Sequence, residues 1–251
     1  MEGGLMRYVT ATIALVALVQ ACTAQPPVRP VFRLADFWSS KLKELPYDSP
    51  PQVIYRIDDH RFVTLEHYRD CYHGDSYYND TRDGIRKYLG RGLFENFQGR
   101  VINADPSATN VVLPLAYPPR AFCGNGEKGC VVPFWYSTDG GKTFHSKVYM
   151  DHSFNAFEDS KRYTVAATQN KLFVAQVDYG DENGDPYVTE YPLVPDIDLS
   201  KPYPPGIHGS TFMASKRPGI FSKLKTPSGQ HRIICDPSIK PTNPDAPLAP
   251  Q

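Results

Sequence analysis

"RYTVAATQNKLFVAQV", Arg162 to Val177, is the stretch that decides the fold. Two runs rich in Val, Ala, Thr, Tyr and Phe flank Gln169-Asn170, the composition of two strands joined by a tight turn. The same pattern recurs along the chain in "QVIYRID", "RFVTLEHY", "GRVINAD", "NVVLPLAY", "CVVPFWYS", "HSKVYM", "PYVTEYPLV" and "HRIICD", each bounded by Asp, Asn, Gly or Pro. Strands without repeated helices between them predict an all-β, antiparallel chain, either propeller-like or a β-sandwich. Helical spacing occurs in two places only. Leu34, Phe37, Trp38, Leu42 and Leu45 recur at helical intervals around Asp36 and stop at Pro46, predicting a short N-terminal helix. Ile85 to Phe97 is ambiguous, because Gly90 and Gly92 interrupt it.

The N-terminus has the layout of a secretory signal. Arg7 precedes the apolar run Tyr8 to Val19, which is too short to span a bilayer comfortably. Ala21 before Cys22, with Leu18 and Val19 behind, resembles the lipobox of bacterial lipoproteins, which implies cleavage ahead of Cys22 and its acylation. An ordinary signal cut near Ala24 and a buried N-terminal helix are the alternatives. A start at Met6 would place the basic residue directly before the apolar run.

Export gives the other cysteines a meaning, since disulfides persist in oxidising compartments. Cys71, Cys123, Cys130 and Cys235 allow three pairings, of which Cys123–Cys130 across "GNGEKG" with Cys71–Cys235 is the simplest. No CxxC groups them with histidines as a metal site requires. The 251 residues are 22% charged with zero net charge, and losing residues 1–21 removes one Glu and one Arg, so no basic excess points to nucleic acid. Proline clusters at 25–30, 46–51, 192–205 and after 237 divide the chain into a signal peptide (1–21), a tether with the short helix (22–50), a β-rich domain (51–237) and a flexible tail (238–251).

Ser137 to Phe144, "STDGGKTF", resembles the Asp-box hairpin of sialidase-like propellers. Ser137 and Asp139 have the groups to bond within the turn, Gly141 permits positive φ, and Phe144 can pack beneath. Such a turn marks a fold and carries no catalysis. "TRDG", Thr81 to Gly84, is a degenerate second copy at most.

Enzyme signatures are missing from the sequence. "GGKT" lacks the first P-loop glycine, no G-x-S-x-G surrounds a serine, and His60, His67 and His73 are spaced for neither HExxH nor one strand face. Asp181, Asn183 and Asp185 repeat the opening of a calcium loop, but Pro186 and Pro192 stand where its glycine and glutamate belong. The reading is therefore an exposed acidic hairpin turning at Asn183-Gly184. We expect no catalytic residues, no metal and no cofactor.

Pro50 to Leu89 is similar to the opening of the immunity lipoproteins that protect bacteria from type VI secretion lipase effectors of the third class. The resemblance is carried by Asp59, His60, Arg61, Cys71, Tyr77 to Thr81, Gly84 and Ile85. It implies a periplasmic protein, held at a membrane by its lipid, that binds and neutralises a cognate phospholipase toxin. Residues for contact with that toxin are then sought on loops: Asp181 and Asp185 in the acidic hairpin, Tyr203 and His208 in the proline-rich segment. The competing expectation is a cell-envelope glycan-binding module, or a glycosidase, built on an Asp-box fold.

Overall fold

The computed structural model describes residues 46–121, 128–178, 180–181 and 183–244, with the backbone of strands 42–44 and 248–250. Strand β1 (Leu42–Glu44) pairs with the last strand, β14 (Leu248–Pro250), in a two-stranded sheet. Most of the stretch with helical spacing lies outside the described residues. Its end, Leu42–Glu44, is extended, because its backbone is satisfied by a partner strand and not within a helical turn.

The larger compact unit spans Glu44–Leu248. Its first sheet is a meander, β2 (Gln52–Arg56), β3 (Arg61–Asp70), β4 (His73–Asp80) and β5 (Ile85–Arg91), with every neighbouring pair antiparallel. Strand β6 (Arg100–Asn103) leaves this meander and pairs with Tyr163–Ala167, the later strand β10. A second meander follows: β7 (Val111–Pro114), β8 (Cys130–Ser137) and β9 (His145–Ser153). After the one-turn helix α1 (Ala156–Asp159), capped by the Asn155 side chain, a third meander runs through β10 (Tyr163–Ala167), β11 (Lys171–Gln176), β12 (Tyr187–Pro192) and β13 (Ser210–Met213). The fold is all-β and mostly antiparallel, and β6 against β10 is the one parallel pair among the described strands of the larger unit.

The opening hairpin is formed as its sequence predicts: Ala167 faces Leu172 across the turn, where Thr168 N and Lys171 O bond at 2.8 Å. Ile85–Phe97 resolves into β5 and a short 3-10 turn at Phe94–Asn96, with Gly90 near the end of β5 at φ 113° and Gly92 between the two at φ 66°. "HRIICD" corrects the reading, for it forms no strand. It does lie along the outer edge of β2, where one backbone bond, from Ile234 N to Ile54 O at 2.9 Å, is supplemented by two glutamine side chains. Gln230 accepts from Arg56 N at 2.9 Å and donates to Ile54 O at 2.8 Å. Gln52 accepts from Asp236 N at 2.8 Å and donates to Asp236 O at 3.2 Å. Side-chain amides carry the same donor and acceptor as a peptide group, so they take the place of ladder rungs. Beyond this segment, Thr242 and Asn243 bond to the carboxylate of Asp48, so the stretch expected as a tail is tied down at that point.

The main core collects Ile54, Tyr55, Val63, Tyr78, Phe94 and Phe134 with residues from all three meanders. A smaller one, Ile102, Ala166, Phe173, Ala175 and Val188, lies on the other face of the five-stranded sheet under Phe212, Phe221 and Leu224. Buried polar groups join the elements. Asn103 on β6 donates to Val112 O at 3.0 Å and accepts from Val112 N at 2.7 Å, while Tyr55 reaches Val101 O and Thr226. Each unmatched member of such a network would cost about 1–3 kcal/mol, so these contacts fix where the sheets meet.

Glu95, 3% exposed, sits in the 3-10 turn and accepts four hydrogen bonds: from Gly74 N, Gly92 N, Leu93 N and Ser76 Oγ. Burial outweighs these donors and pushes its carboxyl up to about 7 from 4.5. Between those values the folded chain holds a proton that the unfolded chain has released. The stability linked to Glu95 is therefore fully present below the unfolded value and is lost as pH rises through the folded one. We expect the urea midpoint to fall between pH 5 and pH 8, and Glu95→Gln to flatten that slope; an unchanged slope in the variant would refute the assignment.

Candidate partner-binding surface

The β2–β3 turn is built by the motif that drew attention to this region. Asp58 accepts from the backbone N–H of His60 and Arg61, at 3.1 and 2.7 Å, and from Arg61 Nε at 2.7 Å. Burial alone would raise its carboxyl, but the Arg61 backbone and guanidinium bonds hold it below the usual range. Arg61 is 2% exposed and also donates to Ala108 O at 3.1 Å, in a loop that Asp105 organises through Ser107, Thr109 and Asn110. Arg61 is thus a clamp inside the molecule. The three histidines each face a different aspartate: His60 with Asp58, His67 with Asp75 and His73 with Asp70.

Pairing β2 to β5 in this register lays one face of the sheet out in rows. Val53, Thr64, Tyr77 and Tyr88 form one row; Arg56, Phe62, Asn79 and Arg86 form the next. The Arg86 guanidinium lies 3.9 Å from the centroid of the Tyr77 ring and forks onto the Glu66 carboxylate, with both N–O distances 2.9 Å. That bond, with Thr64 adding a second donor, holds the Glu66 carboxyl below its ordinary value. The Tyr77 and Tyr88 rings stand 5.3 Å apart, Tyr88 donates to Asp75 at 3.3 Å, and Arg56 covers the Phe62 ring at 5.3 Å. Tyr88 and Val53 remain 53% and 43% exposed. Tyr and Arg, already stacked and bonded, form a surface whose side chains have little rotamer freedom left to lose on contact.

The turn Ser137–Phe144 has closed geometry. Ser137 Oγ accepts from Gly141 N at 2.8 Å and donates to Asp139, which accepts from Thr143 N at 2.9 Å and Thr143 Oγ1 at 2.6 Å. Phe144 packs edge-on against Tyr78, and Tyr78 donates to Gly140 O at 3.2 Å. The turn therefore docks the second meander onto β4.

Cys71, at the tip of the β3–β4 hairpin, is disulfide-bonded to Cys235, with Cα atoms 5.8 Å apart. Cys130 is buried at the start of β8; Cys22 and Cys123 lie outside the described residues. Asp181 and Asp185 are exposed in the β11–β12 connection, where Asp185 accepts from Ser215 N at 2.8 Å. His208 is exposed, whereas Tyr203 is half-buried against the main core. These two pairs lie in the connections at opposite ends of β12, so they form no single patch through that strand. The sheet face escaped the sequence reading because "HGDSYYND" resembles a turn and "IRKYL" an interrupted helix. β5 gives no clean alternation either, since Arg86, Lys87 and Tyr88 are all exposed and Leu89 is its one buried residue.

No helix among the described residues is long and apolar enough to cross a membrane. No curated protein matches the chain. Residues 47–176, more than half its length and including the whole β2–β5 face, match the family described as T6SS Tli3 immunity protein, and the chain belongs to that family of type VI secretion immunity proteins.

Proposed function

We propose that this chain is exported to the periplasm, anchored through Cys22, and neutralises a type VI secretion phospholipase by binding it with the outer face of β2–β5. The observation that carries this reading is the family match, which spans all four of these strands. An immunity protein works as a stoichiometric ligand and needs a rigid, recognisable surface. The Tyr77–Tyr88–Arg86 cluster supplies residues of the types that dominate binding energy. The Ser137–Phe144 turn is then an Asp-box in a structural role, and Cys123–Cys130 a second bridge. Anchoring would hold the inhibitor at the surface its target attacks.

The test is survival of sensitive cells that make the cognate lipase in their periplasm. Protection by the full chain, and its loss when residues 1–21 are deleted, is the expected result; killing despite the full chain would sink the reading. On the purified pair, Tyr88→Ala with Arg86→Ala should weaken toxin binding at least 30-fold, about 2 kcal/mol, while leaving the unfolding midpoint within the small range of surface changes. Undiminished affinity would move the binding face elsewhere.

A further inference from the structure

At the start of β6 and β10 in the five-stranded sheet, a cleft of about 470 Å3 is lined by Arg100, Lys161, Arg162, Thr164 and Arg232. Four cations around one cleft are notable in a chain whose net charge is zero. Two of them have carboxylate partners, Lys161 with Glu158 and Arg162 with Asp159. Arg232 donates to Gln98 O at 2.7 Å, which orients its guanidinium without neutralising it. Among the described residues Arg100 has neither an ion pair nor a hydrogen bond through its side chain. It is half-buried, stands beside Thr164 in the parallel β6–β10 register, and also lines a second cleft of about 320 Å3 beside Ile102, Phe221 and Leu224.

We propose that this cleft binds a phosphate ester. A carboxylate ligand has one charge and is satisfied by a single guanidinium fork. Here Arg100 and Arg232 leave two charges unmatched, with Thr164 and Lys161 adding donors, which fits a tetrahedral, doubly charged group with three free oxygens. Tyr163 and Val177 supply the apolar part of the same cleft's lining, which lowers the local dielectric and strengthens each contact. The volume suits a small ligand or a headgroup. The proposal is independent of the toxin-binding face, which lies on different strands.

Calorimetric titration of the full chain at low ionic strength, with glycerol phosphate, inorganic phosphate and acetate, tests it. Phosphate compounds should bind at least tenfold more tightly than acetate, and Arg100→Gln and the exposed Arg232→Gln should each weaken them about tenfold with the unfolding midpoint unchanged. Vesicles of phosphatidylglycerol, compared for wild type and Arg100→Gln, identify the source. Arg100-dependent binding to vesicles supports a lipid headgroup, and dependence with the soluble phosphates alone supports a free ester. Absence of binding to every phosphate probe, parity with acetate, or wild-type affinity in both variants overturns the proposal.

Discussion

Replacing Cys71 or Cys235 by serine will lower the stability of the chain by about 5 kcal/mol, the loop-closure entropy released when a link across 164 residues is cut. The loss falls on the unfolded state, which gains freedom, while the folded chain keeps most of its contacts. Cys235 belongs to the segment that seals β2, and Asp236 next to it is held by Gln52. Cutting the link therefore also frees that segment to leave the sheet edge. Because both substitutions break one bond, the double variant should lose no more than either single one. Urea unfolding of the three variants measures this. A loss under about 2 kcal/mol would mean that the glutamine contacts hold the segment unaided.

Gly141→Ala will lower the stability of the chain by about 3 kcal/mol. Gly141 has φ 90°, a conformation that a residue with a side chain adopts only under strain. An added Cβ would also stand 2.2 Å from Cε1 of Tyr78, in the middle of the main core. Tyr78 cannot yield without moving Phe144 and breaking its own bond to Gly140 O. Gly84→Ala is the matched control: φ is 67° there, but nothing lies within 4 Å, so only the backbone term remains, about 1 kcal/mol. Equal losses at the two positions would show that the Tyr78 contact does not matter and that the turn is free to shift.

Residue chemistry made part of this fold legible and hid the rest. Where β-branched and aromatic residues flank a turn, as in β10 and β11, composition and structure agree, because the strands are buried on both faces and read as nearly continuous apolar runs. β4 was invisible: Gly74, Asp75, Asn79 and Asp80 carry turn chemistry, yet they lie in a strand whose polar groups are met by Glu95, Tyr88, Arg86 and Thr64 from neighbouring elements. "HRIICD" misled in the opposite sense, since its composition is that of a strand while its backbone makes isolated bonds, to Ile54 O, Val101 N and the Gln52 side chain, and Gln230 beside it serves β2. The contacts of the Ser137–Phe144 turn are local and readable from its residues. The Tyr77–Arg86–Tyr88 face is not, because it exists only once cross-strand register brings β4 and β5 side by side.

The sealing of β2 also imposes an order of events. Ile54 meets Gln230 across 176 residues and Gln52 meets Asp236 across 184, so the open edge of the first meander waits for nearly the last part of the chain to arrive. Until then it exposes unpaired backbone groups to any extended neighbour. A chain cut short before Gln230 would keep three complete meanders and its whole Tyr–Arg face, yet carry a permanent template for strand addition. The segment from Gln230 to Asp236 thus acts as a seal: only a chain that has reached it is protected from joining its own kind.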